Sequence, residues 1–195
     1  MTGFEILFSH IEQKVLLNDD EKNAVRQYFI EKKLKKKQFL LSEGEVCRHM
    51  AFVCTGLLKT YNVDEKGIEH MSLFGWEGWW LSDFSSFLTG VKSVSYINAM
   101  EDAELLLISR ENYEALTVRV PKMDRYFRIL YQNSIVTKES RLRNSITYSA
   151  SERYSEFIKS NPQVLNRIPQ NLIASYLGIA PETLSRIKRK ISPSK

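Results

Sequence analysis

The sequence predicts an α+β fold: an N-terminal antiparallel β-roll (a double-stranded β-helix, jelly-roll-like) with flanking helices, a long helix, and a C-terminal helix-turn-helix of winged-helix-like type. Three observations carry this. Residues 38–109 hold many short apolar runs separated by glycines and turn residues, the pattern of an antiparallel barrel or roll. From Pro121 the period becomes helical and holds for about seven turns, longer than a small roll needs for cover. Near the end, residues 170–190 read QNLIASYLGIAPETLSRIKRK, the spacing of two short helices over a shared core.

In chain order, apolar residues at Phe4, Leu7, Phe8, Ile11 and Val15 predict a first amphipathic helix. Asn18-Asp19-Asp20 caps a second, which the pattern carries through Val25, Tyr28 and Phe29. The charged run Glu31 to Lys37 reads as a solvated turn, with contact to DNA or anionic lipid as the alternative. Strands are expected at Phe39–Leu41, Met50–Cys54, Leu57–Tyr61, Ile68–Phe74, Val94–Ile97 and Ala103–Ile108. Arg110 to Leu116 forms a short helix. Pro121 then opens the long one, with apolar positions Met123, Phe127, Leu130, Tyr131, Ile135, Leu142 and Ile146. Such a helix is expected to pack beside its symmetry mate in a homodimer. Ser149 begins a helix through Tyr154, Phe157 and Ile158, which makes residues 141–149 the expected hinge.

In the closing motif, Gly178 lets the first helix end at positive φ, and Pro181 opens the second at its first turn. Burying Leu184 and Ile187 turns Pro181, Glu182, Ser185, Arg186 and Arg189 to the opposite side. That short, basic face suits the DNA major groove, where arginine pairs with guanine and glutamate accepts from cytosine.

At 195 residues and 43% hydrophobic, the chain can bury one sizeable core or two small ones. No run approaches the roughly 18 apolar residues of a membrane span, and acids sit where a signal peptide is basic and apolar, so a cytoplasmic location without membrane contact is expected. The net charge of +5 is unevenly placed: residues 38–120 carry six basic against twelve acidic side chains, residues 141–195 ten against three. This fits a protein that presents one end to a polyanion. Cys47 and Cys54 match no redox or zinc spacing and read as small core residues; two thiols cannot hold a four-cysteine cluster. His10, His49 and His70 are scattered, which gives no support to a metal or haem site.

Roll, long helix and helix-turn-helix together resemble the Crp/Fnr family of bacterial transcription regulators over nearly the full chain. The matching stretches are LSEGEVCRHMAFVCTGLLKTY, NAMEDAELLLISRENYEAL, SERYSEFI and, most specific, RIPQNLIASYLGIAPETLSRIKRK. The resemblance implies a cyclic-nucleotide-binding-like sensor domain at 1–120, a dimerisation helix and hinge at 121–147, and a DNA-binding domain at 148–195. It implies base reading by Glu182 and Arg186, with Pro181 where some members have arginine, and phosphate or minor base contacts by Thr183 and Ser185. Double-stranded DNA with an inverted-repeat operator is the implied partner, and RNA polymerase a further one. Only Ile191 to Lys195 follow the reading helix, so the wing of many members is missing or supplied from elsewhere.

By position, Leu81-Ser82 stands at the family's Gly-Glu pair, Lys92-Ser93 at its Arg-Ser pair, and Lys138-Glu139 where the base is met. Only Ser93 is retained, and a lysine lacks the planar fork that an arginine offers a phosphate. The effector pocket, drawn from Trp79, Ser82, Lys92, Ser93, Lys138 and Glu139, is therefore read as diverged. No cofactor is required, and cyclic AMP is disfavoured. The tryptophans of Gly75-Trp76-Glu77-Gly78-Trp79-Trp80 read either as a pocket for a flat or apolar ligand oriented by Glu77, or as core and dimer-contact aromatics. The alternative overall reading is a small-molecule sensor whose tail contacts protein rather than DNA. No nucleophile–base pair, phosphate loop or carboxylate constellation supports an enzyme.

Overall fold

The computed structural model describes residues 1–191. They form two compact units, one of Met1–Asn62 with Phe74–Gln132, the other of Val63–Leu73 with residues 133–191. The chain runs α1 (Gly3–Glu12), α2 (Asp19–Arg26), β1 (Ile30–Leu34), β2 (Phe39–Leu41), β3 (His49–Thr55), β4 (Leu58–Val63), β5 (Glu69–Gly75), β6 (Trp80–Leu81), α3 (Phe84–Thr89), β7 (Tyr96–Ala99), β8 (Ala103–Ser109), α4 (Arg110–Arg119), α5 (Pro121–Thr147), α6 (Ala150–Ser160), α7 (Gln170–Leu177) and α8 (Pro181–Ile191).

Two four-stranded sheets, ordered β1-β8-β3-β6 and β2-β7-β4-β5, make the roll. β3 and β8 lie at the centre of the first, in antiparallel register from His49↔Ser109 to Thr55↔Glu104 with a bulge near Val53. Met50 to Cys54 and Leu105 to Ile108 are buried without alternation. Both faces of these strands are covered, since α1 packs on β3 and β8, and such strands read as continuous apolar runs. Gly56 turns the chain from β3 to β4 at φ +94°, where a Cβ would meet the Asp102 carbonyl at 2.6 Å. No other residue fits there.

Residues 31–37 correct the sequence expectation. Only their end is the expected solvated turn, at exposed Lys36 and Lys37; Glu31 to Leu34 lie in β1, paired with β8 from Ile30↔Leu107 to Leu34↔Ala103, and α2 stops at Arg26 rather than running through Phe29. β1 is an edge strand with four of its five residues exposed, so it has almost no apolar face to announce it. Lysines on an open edge also discourage pairing with another chain. Lys33 pairs with Glu104 at 2.7 Å, and Lys35 with Asp102 at 2.9 Å. β6 and α3 were likewise not expected from sequence, being two and six residues long.

One polar chain crosses the interior of this unit. The Tyr126 side chain, fully buried on the first turns of α5, accepts at its hydroxyl from Trp80 Nε1 at 2.8 Å and lies 2.7 Å from His10 Nδ1. The Lys14 ammonium stands 3.3 Å from His10 Nε2. An ammonium can only donate, so Nε2 accepts, Nδ1 carries the proton, and the Tyr126 oxygen takes two bonds. α1, β6 and α5 are thereby tied at one oxygen.

Burial, and secondarily the Lys14 charge, lowers the His10 pKa from its ordinary value to about 4. A histidine whose folded pKa is depressed stays neutral while the unfolded chain takes up a proton. Stability therefore falls as pH drops from about 6.5 towards about 4. In urea unfolding across that window, the wild-type midpoint is expected to fall more steeply than that of His10→Gln, the two curves converging as pH falls.

Candidate nucleic-acid interface and sensing site

In the second unit, α6, the α7–Gly178–α8 motif and the 3-10 turn Pro162–Val164 enclose a small core of Tyr154, Phe157, Val164, Ile168, Ile173, Ala174, Leu184 and Ile187. Ala174 is fully buried, as a crossing of two helices requires. Gly178 takes the left-handed conformation at φ +66° and ends α7; the Gly178 N–H reaches Ser175 O and the Ile179 N–H reaches Ala174 O, each at 3.0 Å. These bonds satisfy carbonyls the helix end would leave open. α8 starts at Pro181, with the Leu184 N–H bonded to Ala180 O at 3.1 Å.

Leu184 is 1% and Ile187 8% exposed, whereas Pro181, Glu182, Ser185, Arg186 and Arg189 are exposed and Thr183 is half-buried. All six residues expected from sequence to meet DNA thus sit along α8, five of them in solvent. Lys188, Arg189 and Lys190 occupy its last turn, where positive charge is favourable next to the helix dipole, and Glu182 its first. The sequence-based reading on a wing concerns Ser192–Lys195, which lie outside the described residues.

Two arginines organise this unit. Arg153 Nη1 donates to Tyr148 O at 2.9 Å and to Ser145 O at 3.4 Å, placing a cation on the last carbonyls of α5. Arg141 Nη1 donates to Ser72 O at 2.6 Å, with its guanidinium 4.1 Å from the centre of the Tyr176 ring. Ser175 Oγ donates to Glu69 O and accepts from the Met71 N–H, both at 3.0 Å. The first half of β5 is therefore bonded to α7. The predicted hinge is also shorter than expected: α5 runs unbroken through Thr147, and only Tyr148 and Ser149 separate it from α6, which Ser149 caps.

In the first unit, Ser93 is 2% exposed, its hydroxyl 2.7 Å from Asp83 Oδ2 and 3.1 Å from Ser95 O. Asp83 also caps α3, accepting from the Ser86 N–H at 3.1 Å. Ser86 in turn accepts from the Cys47 N–H and donates to Val91 O. Ser82 Oγ lies 3.4 Å from Cys47 Sγ, while Lys92 is exposed. Trp79 lies elsewhere, against α1, and Lys138 and Glu139 are exposed on the second unit's part of α5. Asp83 went unnoticed in the sequence, although an Asp directly before a short helical stretch is an N-cap signal. Both cysteines are buried; burial pushes the Cys54 thiol up to about 12, leaving it unreactive.

A helix-turn-helix with a solvent-facing basic helix, joined by a long helix to a β-roll, defines a DNA-binding regulator with a sensor-type domain. The cyclic nucleotide-binding domain family matches residues 31–119. The fumarate and nitrate reduction regulatory protein of Vibrio cholerae is 26% identical over 91% of this chain and 75% of its own length. The transcriptional activator protein Anr of Pseudomonas aeruginosa is also 26% identical, over 79% of this chain and 67% of its own. Among solved structures, FixK2 from Bradyrhizobium japonicum superposes with a TM-score of 0.71 at 19% identity, covering 84% of each chain. Over most of its length the chain is thus similar to DNA-binding transcription regulators of the Crp/Fnr type.

Replacing Gly178 by alanine would force a Cβ into left-handed backbone at a cost of about 1–2 kcal/mol. Thermal unfolding of the second unit, followed by fluorescence of an extrinsic label on α6, is expected to move down accordingly. Ser175→Ala is expected to lower the same transition by removing both hairpin bonds.

Proposed function

We propose that this regulator acts as a homodimer that reads an inverted-repeat operator through α8, with Glu182 and Arg186 on base edges and Thr183, Ser185 and Arg189 on phosphates or minor base contacts. The observation that carries this is the division of α8 into a buried Leu184/Ile187 side and a solvent-facing polar and basic side. Pro181 has no side-chain donor, so the operator is expected to lack one guanine contact that an arginine would make. Dimerisation is supported by α5: Ile135, Val136, Leu142 and Ile146 are 57%, 62%, 65% and 77% exposed, an apolar stripe that a second copy would bury. Two paired α5 helices would set two α8 helices about one turn of DNA apart.

For the roll, the reading is that cyclic AMP is not the effector. The carboxylate of Asp83 already holds the Ser93 hydroxyl and the Ser86 N–H, so a phosphate arriving at Ser93 would meet a like charge. Lys92, exposed beside it, supplies a point charge without a fork. Lys138 and Glu139, also exposed, are left without a base to meet. RNA polymerase is the partner through which such a regulator would act, and the bacterial cytoplasm the place. Among the described residues no helix is long and apolar enough to cross a membrane.

Selection of bound duplexes from a random library by the full chain, with and without cyclic AMP, tests this reading. An inverted repeat enriched equally in both arms is the expected result; enrichment confined to the nucleotide arm would restore cyclic AMP as effector. Arg186→Ala is expected to weaken operator binding by about 1–3 kcal/mol and to relax preference at one position of each half-site. Unchanged affinity and preference would instead favour a protein partner for this face.

A further inference from the structure

We propose that the cleft between α1 and the Glu77–Trp79 turn binds a neutral, planar heteroaromatic molecule bearing ring N–H donors, at a place separate from the interior of the roll. The cleft has a volume of about 390 Å³ and is lined by Met1, Ile6, Ser9, His10 and Gln13 on one side, and by Glu77, Gly78 and Trp79 on the other. This proposal does not depend on the operator reading above.

The chemistry of the lining selects the ligand class. Ile6, Ser9, His10 and Gln13 follow helical spacing along one face of α1, so the helix supplies an apolar end, a hydroxyl, an imidazole and an amide in a row. Opposite them stands Trp79, half-exposed, its ring 4.3 Å from that of buried Trp76. A tryptophan held by a second ring is a fixed wall on which a flat molecule can stack. Its volume falls in the range of about 300–1,000 Å³ usual for small-molecule sites.

Charge argues for a neutral ligand. Glu77 brings a carboxylate, placed by the bond from the Gly56 N–H to its Oε1 at 2.9 Å, and a carboxylate accepts from several donors at once. Lys14, in the turn just after α1, stands against His10 Nε2, so a cation would be drawn by one group and repelled by the other, and an anion the reverse. His10 itself is uncharged at neutral pH, because burial and, secondarily, the Lys14 charge lower its pKa to about 4. Ring N–H groups facing Glu77 and ring acceptors facing Ser9 and Gln13 complete the match. Gly78, at φ +84° with open space around its Cβ position, leaves the mouth clear.

Position gives the site its interest. His10 contacts the occupant and Tyr126 alike, and Tyr126 sits on α5, the helix that also carries the exposed apolar stripe. The fluorescent tricycle lumichrome, neutral and with two ring N–H donors, is a suitable probe. Titrated with the full-length wild-type chain, its anisotropy is expected to rise saturably at one equivalent. Trp79→Ala is expected to weaken binding at least tenfold and Glu77→Gln several-fold, with Ser93→Ala unchanged. Ser9→Arg, at an exposed position on α1, is expected to block the cleft and abolish binding. Absence of saturable binding would overturn the proposal. So would binding that survives Ser9→Arg, or that is lost with Ser93→Ala.

Discussion

A buried hydroxyl has to be satisfied, and the first unit is arranged around one such group. Tyr126 is excluded from water, and its oxygen is where the indole of Trp80 and the imidazole of His10 converge. An unmet polar group there would cost about 1–3 kcal/mol, so α1, β6 and α5 are fixed not only by apolar area but by a donor count that works in one arrangement. The consequences spread. Trp80 packs on Phe52 and Phe127 at ring separations of 5.4 and 5.5 Å, and His10 on Phe52 at 5.6 Å, so the aromatic centre of the unit inherits its orientation from the hydrogen bonds. Displacing His10 would thus be felt at the root of α5.

The parts of the fold that were legible in the sequence are those whose signals are local. Gly178, Pro181 and the Leu184/Ile187 spacing each constrain a few neighbouring residues, and the helix-turn-helix followed from them directly. The capped starts at Asn18 and Ser149 were legible for the same reason, since each side chain bonds a backbone N–H three residues on. β1 was hidden because its pairing with β8, from Ile30↔Leu107 to Leu34↔Ala103, is made by the backbone of residues far away in the chain, while its own side chains are mostly charged. The candidate cleft was half visible: the tryptophan-glycine run was open to a ligand or a core reading, and the structure divides it, burying Trp76, tying Trp80 to Tyr126 and leaving Trp79 on a cleft. His10 carried no signal at all, because its significance lies in a partner 116 residues distant.

The sensing region shows how a retained residue can mislead. Ser93 survives at the position where the family resemblance places a phosphate contact, yet its hydroxyl belongs to a closed circuit of Asp83, Ser86 and backbone groups. Asp83 has no counterpart in a reading by aligned positions, because what matters is not its place in a motif but the donors it gathers. A residue type kept at one position therefore says little until the neighbours that use its lone pairs are known.

The bonding of β5 to α7 has a consequence for how the molecule can be divided. Residues Val63–Leu73, the turn after β4 with most of β5, group with the unit that contains the helix-turn-helix, where Glu69, Met71 and Ser72 meet Ser175 and Arg141. That unit is thus discontinuous in sequence. A fragment cut out after Gln132 would lack a strand segment it normally packs against, and a chimera spliced at the same point would set a foreign hairpin against α7. Recombination between regulators of this kind must carry two separate stretches of chain together, which ties the inheritance of the reading head to that of a hairpin segment far upstream of α5's second half.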